Sequence, residues 1–318
     1  MATKRLLQRS GRRLAQAVAT ALAATVIVWA LLPLAPGDPA YRILKARGVQ
    51  DPTALQIQAL RTEMALDEPL PAQYLDWLAR VVQGDFSVSY RTGQPVLQDL
   101  ADRLPATVTL LGCALAIAVI TSLTLALTAA ATHGRWPDRL ICAYTQLGAS
   151  IPTFVLALLV LQYAVVAAGV GQVLTGGATA YVALPALAIG IDRAAGWTQL
   201  LRASLLATLR SDYVLTARAR GATRRRVLLR HALPNAVMPF LAAIGMSVGA
   251  LLGGAPIIEE IFTWPGIGRY VLQALHARDY PVIQAFVLVS ALSYVGASLA
   301  VDLAALWLDP RLRREATP

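Results

Sequence analysis

The sequence predicts an all-α, polytopic membrane protein with six transmembrane helices. A helical extracytoplasmic insertion is expected between helices 1 and 2, and a cytoplasmic helical segment between helices 4 and 5. Of the 318 residues, 57% are hydrophobic and 14% are charged, whereas about 25% are charged in soluble domains. Five charge-free runs contain 24, 31, 52, 28 and 22 residues (14–37, 104–134, 140–191, 231–258 and 280–301). Because one bilayer crossing takes about 20 apolar residues, the third run predicts two helices and each other run predicts one.

The positions of the basic residues predict the orientation. The net charge is +10; five basic residues precede the first apolar run, nine lie between residues 193 and 230, and three follow the last run. Lys and Arg are enriched in cytoplasmic loops, so these segments and both termini are expected in the cytoplasm. No nucleic-acid partner is expected, because Arg224, Arg225 and Arg226 lie among Val, Leu and Ala rather than among stacking aromatic residues.

The first helix is predicted over residues 14–34. Its apolar stretch is longer than the 7–15 residues of a signal-peptide core, so we expect an uncleaved span. The following residues 35–104 form the predicted extracytoplasmic subdomain, with nine acidic and seven basic side chains up to residue 103. Apolar residues at helical spacing predict short amphipathic helices over 53–64 and 71–82.

The remaining spans are predicted at 105–131, 140–168, 181–206, 236–257 and 282–308. The second helix is expected to begin at a Pro105 cap, a glycine-rich outer turn to occupy 169–177, and an outer loop to run from Glu259 to Pro281. The predicted division of the chain is therefore 1–34, 35–104, a transmembrane core over 105–310 that includes segment 210–234, and a cytoplasmic tail over 311–318.

The chain lacks the usual patterns for catalysis. A phosphate-binding loop needs a lysine after glycine, and neither Lys4 nor Lys45 has that context. The three histidines and two cysteines have no metal-ligand spacing. We therefore expect no catalytic residue, no metal site and no cofactor bound by this chain.

The most informative segment runs from Asp212 to residue 236. Asp212 is predicted to cap a helix of about two turns, and Gly221 to end it in a left-handed conformation. Thr223 is predicted to cap a second short helix that Pro234 closes. The expected result is a bent helical knob with many arginines. An arginine-rich loop by itself is more often a solvated cytoplasmic loop, so the interpretation depends on the whole pattern.

This segment resembles the coupling motif of permease subunits in binding-protein-dependent ABC importers, and most closely the dipeptide, oligopeptide and nickel branch. Thr216, Ala217 and Gly221 occupy the positions where that branch has Thr, Ala and Gly, whereas Leu215 replaces the glutamate of the general motif. Further blocks extend the resemblance over almost the whole chain: 36–40, 66–70, 90–95, 103–107, 262–268, 278–282, and 301–303 with 309–311.

The resemblance implies a bacterial inner-membrane location and several partners. A second permease, usually a different chain, would complete the translocation path; two cytoplasmic ATPases would carry ATP and magnesium, and an extracytoplasmic binding protein would deliver the solute. Membrane lipid surrounds the permeases. The expected ATPase-coupling residues are Thr216, Ala217, Arg218, Arg220, Gly221 and Arg224.

Charged residues near the spans give further candidates. Asp192 and Arg193 lie near the middle of the fourth predicted span, where charges usually face a cavity or a partner. They are candidates for the substrate path, with a structural pair or a water-filled vestibule as the alternatives. Glu259 and Glu260 are candidates for an outer-gate or binding-protein contact, with solvated loop acids as the alternative.

Two other functional classes fit a polytopic chain. An ion-coupled secondary transporter would show matched halves with broken spans, and the sequence has no such repeat. A non-transporting scaffold would not need the helix–glycine–helix knob. Within the importer hypothesis, the sequence leaves open whether the solute is a di- or oligopeptide or a nickel or metallophore chelate.

Overall fold

The computed structural model describes residues 2–34, 36–167, 169 and 181–308, and these residues are predominantly helical. An isolated antiparallel bridge joins Val88 and Pro95. The first helices are α1 (Ala2–Leu34), α2 (Pro39–Ala46), α3 (Ala54–Glu63), α4 (Leu70–Val82), α5 (Val96–Ala131), α6 (Trp136–Ser150) and α7 (Thr153–Val160). They are followed by α8 (Ala183–Leu209), α9 (Asp212–Ala219), α10 (Arg224–Arg226), α11 (Leu233–Ile261), α12 (Ile267–Ala277) and α13 (Tyr280–Leu308). π-helical turns cover Leu161–Ala167 and Val227–Ala232.

The chain divides into two compact units. Unit 1 takes the residues up to Thr107 together with Pro265–Gly296. Unit 2 takes Val108–Trp264 together with the segment from Ala297.

In unit 1, the short helices form as their sequences predict. The α3 helix begins with a capping box, in which the Thr53 side chain accepts from the Gln56 amide and the Gln56 side chain accepts from the Thr53 amide. Ile43 of α2 and Leu60 of α3 pack with Tyr90 in one apolar cluster. The helices expected at 53–64 and 71–82 are confirmed as α3 and α4.

The buried carboxylate of Asp279 fixes a turn of unit 1. It has no exposed surface, and it accepts hydrogen bonds from Ser89 Oγ at 2.5 Å, from the Tyr90 amide at 3.1 Å and from the Arg91 amide at 3.3 Å. Burial of the Tyr90 ring, together with the negative charge of Asp279, raises the pKa of the Tyr90 hydroxyl. The short connection between α12 and α13 therefore holds residues 89–91 in place.

The α5 helix begins earlier than the sequence predicts. It starts at Val96 and contains Pro105 in its interior, so the expected Pro105 cap is wrong. Val96 and Leu100 are buried in a cluster with residues of α12 and α13. Asp99 accepts from Arg103 at 2.8 Å and from the Tyr270 hydroxyl at 2.6 Å. Packing and hydrogen bonds ahead of the proline thus extend the helix past the position where proline alone would begin it.

In unit 2, α8 is the central helix and packs against α6, α7 and α11. The approach to α6 is close, because a Cβ placed on Gly148 would lie 2.6 Å from the Ala195 Cβ. On the other side, Trp197 meets Phe240 of α11 edge-to-face, with ring centroids 5.9 Å apart. Small residues and an aromatic pair therefore determine how the neighbouring helices sit around α8.

The third predicted span is broken. Helix α6 ends at Ser150, and the axis of the following helical stretch, Thr153–Ala164, is turned by 106°. Ile151 has φ −96° and ψ 122°, the extended conformation that a residue before proline adopts. Pro152 therefore ends one helix and starts the next, and the expectation of a single helix over 140–168 is wrong.

The number of membrane spans remains a prediction. Among the described residues, three helical stretches are long and apolar enough to cross a bilayer, Val96–Ala131, Arg224–Ser247 and Tyr280–Ala297, and the bent pair would add a fourth. The apolar part of α1, Val18–Leu31, is shorter. Helix α8 carries Asp192, Arg193 and Arg202.

The predicted outer loop does not begin at Glu259. Helix α11 continues to Ile261, and the Glu259 side chain has no exposed surface, whereas Glu260 is exposed. The sequence predicts that Glu259 and Glu260 start a loop. In the structure, burial of one face of the last turn of α11 keeps the helix intact past both residues. The outer turn expected at 169–177 (apart from Gly169) and the tail 309–318 lie outside the described residues.

We expect Asp279→Ala to loosen the segment that the carboxylate holds. Hydrogen bonds to a charged group contribute about 1.5–3 kcal/mol each, and about 1.4 kcal/mol corresponds to a tenfold change in an equilibrium. Hydrogen exchange at the Tyr90 and Arg91 amides should therefore accelerate at least about tenfold. The control is Asp51→Ala, whose carboxylate is fully exposed; equal exchange in both variants would contradict the assignment.

Candidate functional site

The segment between α8 and α11 begins with a short helix. Helix α9 runs over Asp212–Ala219, and its N-cap residue is Ser211 rather than Asp212, which is the first helical residue. The expected Asp212 cap is therefore wrong by one position. A carboxylate in the first turn still interacts favourably with the partial positive charge at a helix N-terminus.

Gly221 ends α9 as the sequence predicts. Its φ is +84°, in the left-handed region, and its amide donates to the Arg218 carbonyl at 2.9 Å. A Cβ built on Gly221 would meet nothing within 4 Å. The requirement for glycine here comes from backbone conformation and not from lack of space.

The second helix of the segment begins as expected but does not stop at Pro234. The Thr223 side chain accepts from the Arg226 amide at 3.4 Å and caps α10. The chain then continues through the π-helical turns Val227–Ala232 into α11, and Pro234 lies in the first turn of that helix. Proline is tolerated at this position because its missing amide donor is not needed there, so the predicted closure by Pro234 is wrong.

The segment is attached firmly to α11. The Tyr213 hydroxyl donates to the His231 carbonyl at 3.2 Å, and the Asn235 amide group donates to the Tyr213 hydroxyl at 3.0 Å. Val214 and Val227 are fully buried. These contacts join α9 to the start of α11.

An open groove of about 570 Å³ lies along α9. We call it the motif groove, and its lining residues are Tyr213, Thr216, Ala217, Arg220, Gly221, Ala222, Arg226 and His231. It brings together Thr216, Ala217 and Gly221 with two guanidinium groups. Four of the six residues predicted for coupling therefore share one surface.

The other two predicted coupling residues, Arg218 and Arg224, line a separate cavity of about 270 Å³. We call it the basic cavity, and its lining residues are Ala130, Ala131, His133, Leu206, Leu209, Arg210, Arg218, Arg224 and Leu228. The arginines of the segment are thus divided between two concave surfaces, although they lie within about 20 residues of one another in the sequence.

A buried ion pair next to the basic cavity was not singled out from the sequence. The Asp138 carboxylate accepts from Arg202 Nε at 2.7 Å, from Arg202 Nη2 at 2.8 Å and from the Gly134 amide at 2.9 Å. His133 Nδ1 lies 3.1 Å from the same carboxylate. These contacts join the link between α5 and α6 to α8. No sequence spacing signals a pair separated by 64 residues.

Asp192 and Arg193 lie in α8 and contact each other. Arg193 Nε is 3.4 Å from Asp192 Oδ2, and the Thr153 hydroxyl donates to the same oxygen at 3.0 Å. Thr153 is the first residue after the break between α6 and α7, so the bend brings it against the acid. The sequence did not indicate Thr153, because it lies in an apolar stretch with no sign of the break except Pro152.

No group of three His, Cys, Asp or Glu side chains within the described part of the chain is arranged to hold a metal ion.

The chain matches known proteins along nearly all of its length. Residues 104–314 match the family described as binding-protein-dependent transport system inner membrane component, and residues 6–111 match the N-terminal family of such membrane components. The glutathione transport system permease protein GsiC of Pectobacterium atrosepticum is 36% identical over 304 residues, covering 95% of this chain and 97% of that protein. GsiC of Escherichia coli (strain K12) is 35% identical and that of Salmonella typhimurium 34% identical, with the same coverage.

These matches confirm the resemblance drawn from the coupling motif and the multi-pass membrane placement. The families and relatives are transport components and not enzymes. The chain belongs to the family of binding-protein-dependent transport system inner membrane components, and it is a permease subunit of an ABC importer in the peptide and nickel branch.

Proposed function

We propose that this permease forms, with a second permease, the path for a peptide-like solute across a bacterial inner membrane. The observation that carries the proposal is the 34–36% identity, over 304 residues, to permeases named for glutathione transport. Six spans, cytoplasmic termini, two ATPases that bind ATP and magnesium, and an extracytoplasmic binding protein belong to the same proposal.

We place the ATPase contact at the motif groove. Thr216, Ala217 and Gly221, the residues of the coupling motif, all line it, and Arg220 adds a positive charge at its edge. Ala217 leaves room for a partner side chain, and an arginine can pair with a carboxylate of the ATPase. Leu215, at the glutamate position of the general motif, is half exposed and offers an apolar contact instead of a charge.

The mechanism follows from how the segment is attached. Closure of the ATPases on ATP would move α9 as a rigid body, since Tyr213 and Asn235 link it to α11 and Val214 packs in the interior. The start of α11 would shift with it. Rigid helices that rock between two packed arrangements give alternating access to the solute from the two sides.

For the solute path we propose the Asp192–Arg193 pair. A zwitterionic peptide carries one positive and one negative terminus, and each could exchange places with one member of the pair without leaving a charge uncompensated. Thr153 would keep the Asp192 carboxylate oriented during the exchange. At the end of α11, Glu260 is the exposed acid, so the proposed contact with the binding protein falls on Glu260 and not on the buried Glu259.

The first test compares two substitutions at Gly221 in the assembled importer. A left-handed backbone costs an ordinary L-residue roughly 1–2 kcal/mol, whereas Asn adopts it readily; a β-branched residue is the least tolerated there. We expect Gly221→Val to reduce binding-protein-stimulated ATP hydrolysis at least about tenfold, and Gly221→Asn to stay within about twofold of wild type.

Because a Cβ at Gly221 has open space, a loss in Gly221→Val reports on the backbone and not on a steric clash. Both complexes are checked for assembly by size-exclusion chromatography. Equal activity of the two variants would show that the left-handed turn plays no part in coupling.

A second test uses charge reversal in the groove. Arg220 lines the motif groove, whereas Arg225 is exposed and lines neither the groove nor the basic cavity. A repulsive charge at an interface costs several kcal/mol, so we expect Arg220→Glu to lower stimulated ATP hydrolysis more than about tenfold. Arg225→Glu should change it less than about twofold. The same loss in both variants would mean that overall charge, and not the groove, governs the contact.

The solute class is tested by transport into proteoliposomes that contain the full importer and its binding protein. We expect ATP-dependent uptake of radiolabelled glutathione or a dipeptide, with a loss of about tenfold or more in Asp192→Asn. Uptake of nickel or a nickel chelate in place of the peptides would overturn the peptide assignment and leave the importer assignment intact.

A further inference from the structure

The basic cavity has features that ATPase coupling does not explain. Arg210 caps the C-terminus of α8, Arg218 lies in the last turn of α9 and Arg224 starts α10, yet all three line one cavity of about 270 Å³. His133 adds a fourth basic side chain from the link between α5 and α6. No acidic residue is among the residues that line the cavity.

The three arginines of the basic cavity have no acidic partner in the part of the chain that the structure describes, because no ion pair there involves Arg210, Arg218 or Arg224. The nearby carboxylate of Asp138 is buried and bound by Arg202. All three arginines are exposed, so water weakens the repulsion between their charges, and an anion bound between them would compensate the charge that remains.

The position and the lining of the cavity indicate which anion. The cavity lies at the end of α5, a helix long and apolar enough to cross a bilayer. With α5 spanning the membrane, as in the proposed function, this end would lie near the lipid headgroups. Leu206, Leu209 and Leu228 form an apolar wall beside the arginines. Arginine matches phosphate oxygens with two parallel hydrogen bonds, and basic pockets between helices on the cytoplasmic side bind the headgroups of acidic lipids.

The size of the cavity agrees with this chemistry. Pockets for whole small molecules typically enclose about 300–1,000 Å³, whereas the basic cavity encloses about 270 Å³. A single phosphate with the start of its glycerol backbone is a suitable occupant. The His133 ring also lines the cavity, and its Nδ1 lies 3.1 Å from the Asp138 carboxylate, which holds the ring in place.

We propose that the basic cavity is a binding site for the phosphate headgroup of an acidic phospholipid. Arg210, Arg218 and Arg224 bind the phosphate oxygens, and the leucine wall contacts the glycerol and the upper acyl chain. This inference takes one element from the proposed function, namely that the segment between α8 and α11 lies on the cytoplasmic side of the membrane. Bound lipid would then hold α9 and α10 against the ends of α5 and α8.

The test measures lipid binding to the assembled importer in nanodiscs of phosphatidylcholine with increasing cardiolipin, with bound cardiolipin counted by native mass spectrometry. Each basic residue near a membrane surface contributes about fivefold to the affinity for acidic lipid. Arg210→Gln combined with Arg218→Gln should therefore weaken cardiolipin binding about 25-fold. The matched control, Arg225→Gln combined with Arg230→Gln, removes the same charge at exposed positions that line neither the basic cavity nor the motif groove, and it should change binding no more than about twofold.

A second variant keeps the charges and removes the space. Leu209→Trp should fill the apolar side of the cavity and lower cardiolipin binding. This variant keeps the proposal testable where the double arginine variant does not assemble. Equal loss in the Arg225 and Arg230 control would overturn the proposal, because the effect would then be non-specific.

Two further arms distinguish other anions. Displacement of cardiolipin by an equal concentration of inorganic phosphate would overturn the lipid assignment in favour of a free-phosphate site. Unchanged cardiolipin binding together with loss of the ATPase subunits from the Arg210 and Arg218 variant would show that carboxylates of the ATPase occupy the cavity. Lipid counting needs no ATP turnover, so a failure of the coupling proposal does not affect this result.

Discussion

The ion pair between the buried Asp138 and the half-buried Arg202 is the interaction on which one end of unit 2 depends. Two hydrogen bonds from one guanidinium and one from the Gly134 amide bind the carboxylate, so its charge is fully compensated. Breaking such a pair by removing one partner typically costs about 3–5 kcal/mol, because the remaining charge stays buried. The pair fixes the link between α5 and α6 on α8, and α8 leads directly into the segment that carries the motif groove.

From this fixed point, the segment between α8 and α11 presents two different surfaces. The motif groove carries Thr216, Ala217 and Gly221 and is open to a protein partner. The basic cavity lies toward the helix ends and has an apolar wall. The short helix α9 contributes to both surfaces because residues 218 and 220, two positions apart in the chain, lie on different sides of the helix. The membrane and the ATPases would thus act on the same short element from different sides.

The break between α6 and α7 connects the fold to the proposed path. A continuous helix would keep Thr153 in line with α6, whereas the 106° bend at Pro152 places its hydroxyl on the Asp192 carboxylate. Broken helices at membrane depth occur where backbone and polar side chains line a cavity or are covered by protein. Close packing at Gly148 and Ala195 keeps α6 near α8 up to the bend. The Asp192 carboxylate of α8 therefore finds a hydrogen-bond donor within unit 2.

The sequence by itself determined the helical class, the family, the short helices at 53–64 and 71–82, and the left-handed end of α9 at Gly221. These follow from composition, from residue order along the chain and from a backbone conformation that glycine favours. They are local properties, so neighbouring residues suffice to predict them.

Tertiary structure decided where helices begin and end and which charges meet. Helix α5 starts before Pro105 because Val96 and Leu100 are buried, and α11 continues through Glu259 because that side chain is buried. The local sequence predicts that Pro234 closes a short helix, whereas in the structure Pro234 lies in the first turn of α11. The pairing of Asp138 with Arg202, and the division of the arginines between groove and cavity, join residues distant in the chain. Their contacts depend on how whole helices pack, which residue order alone does not specify.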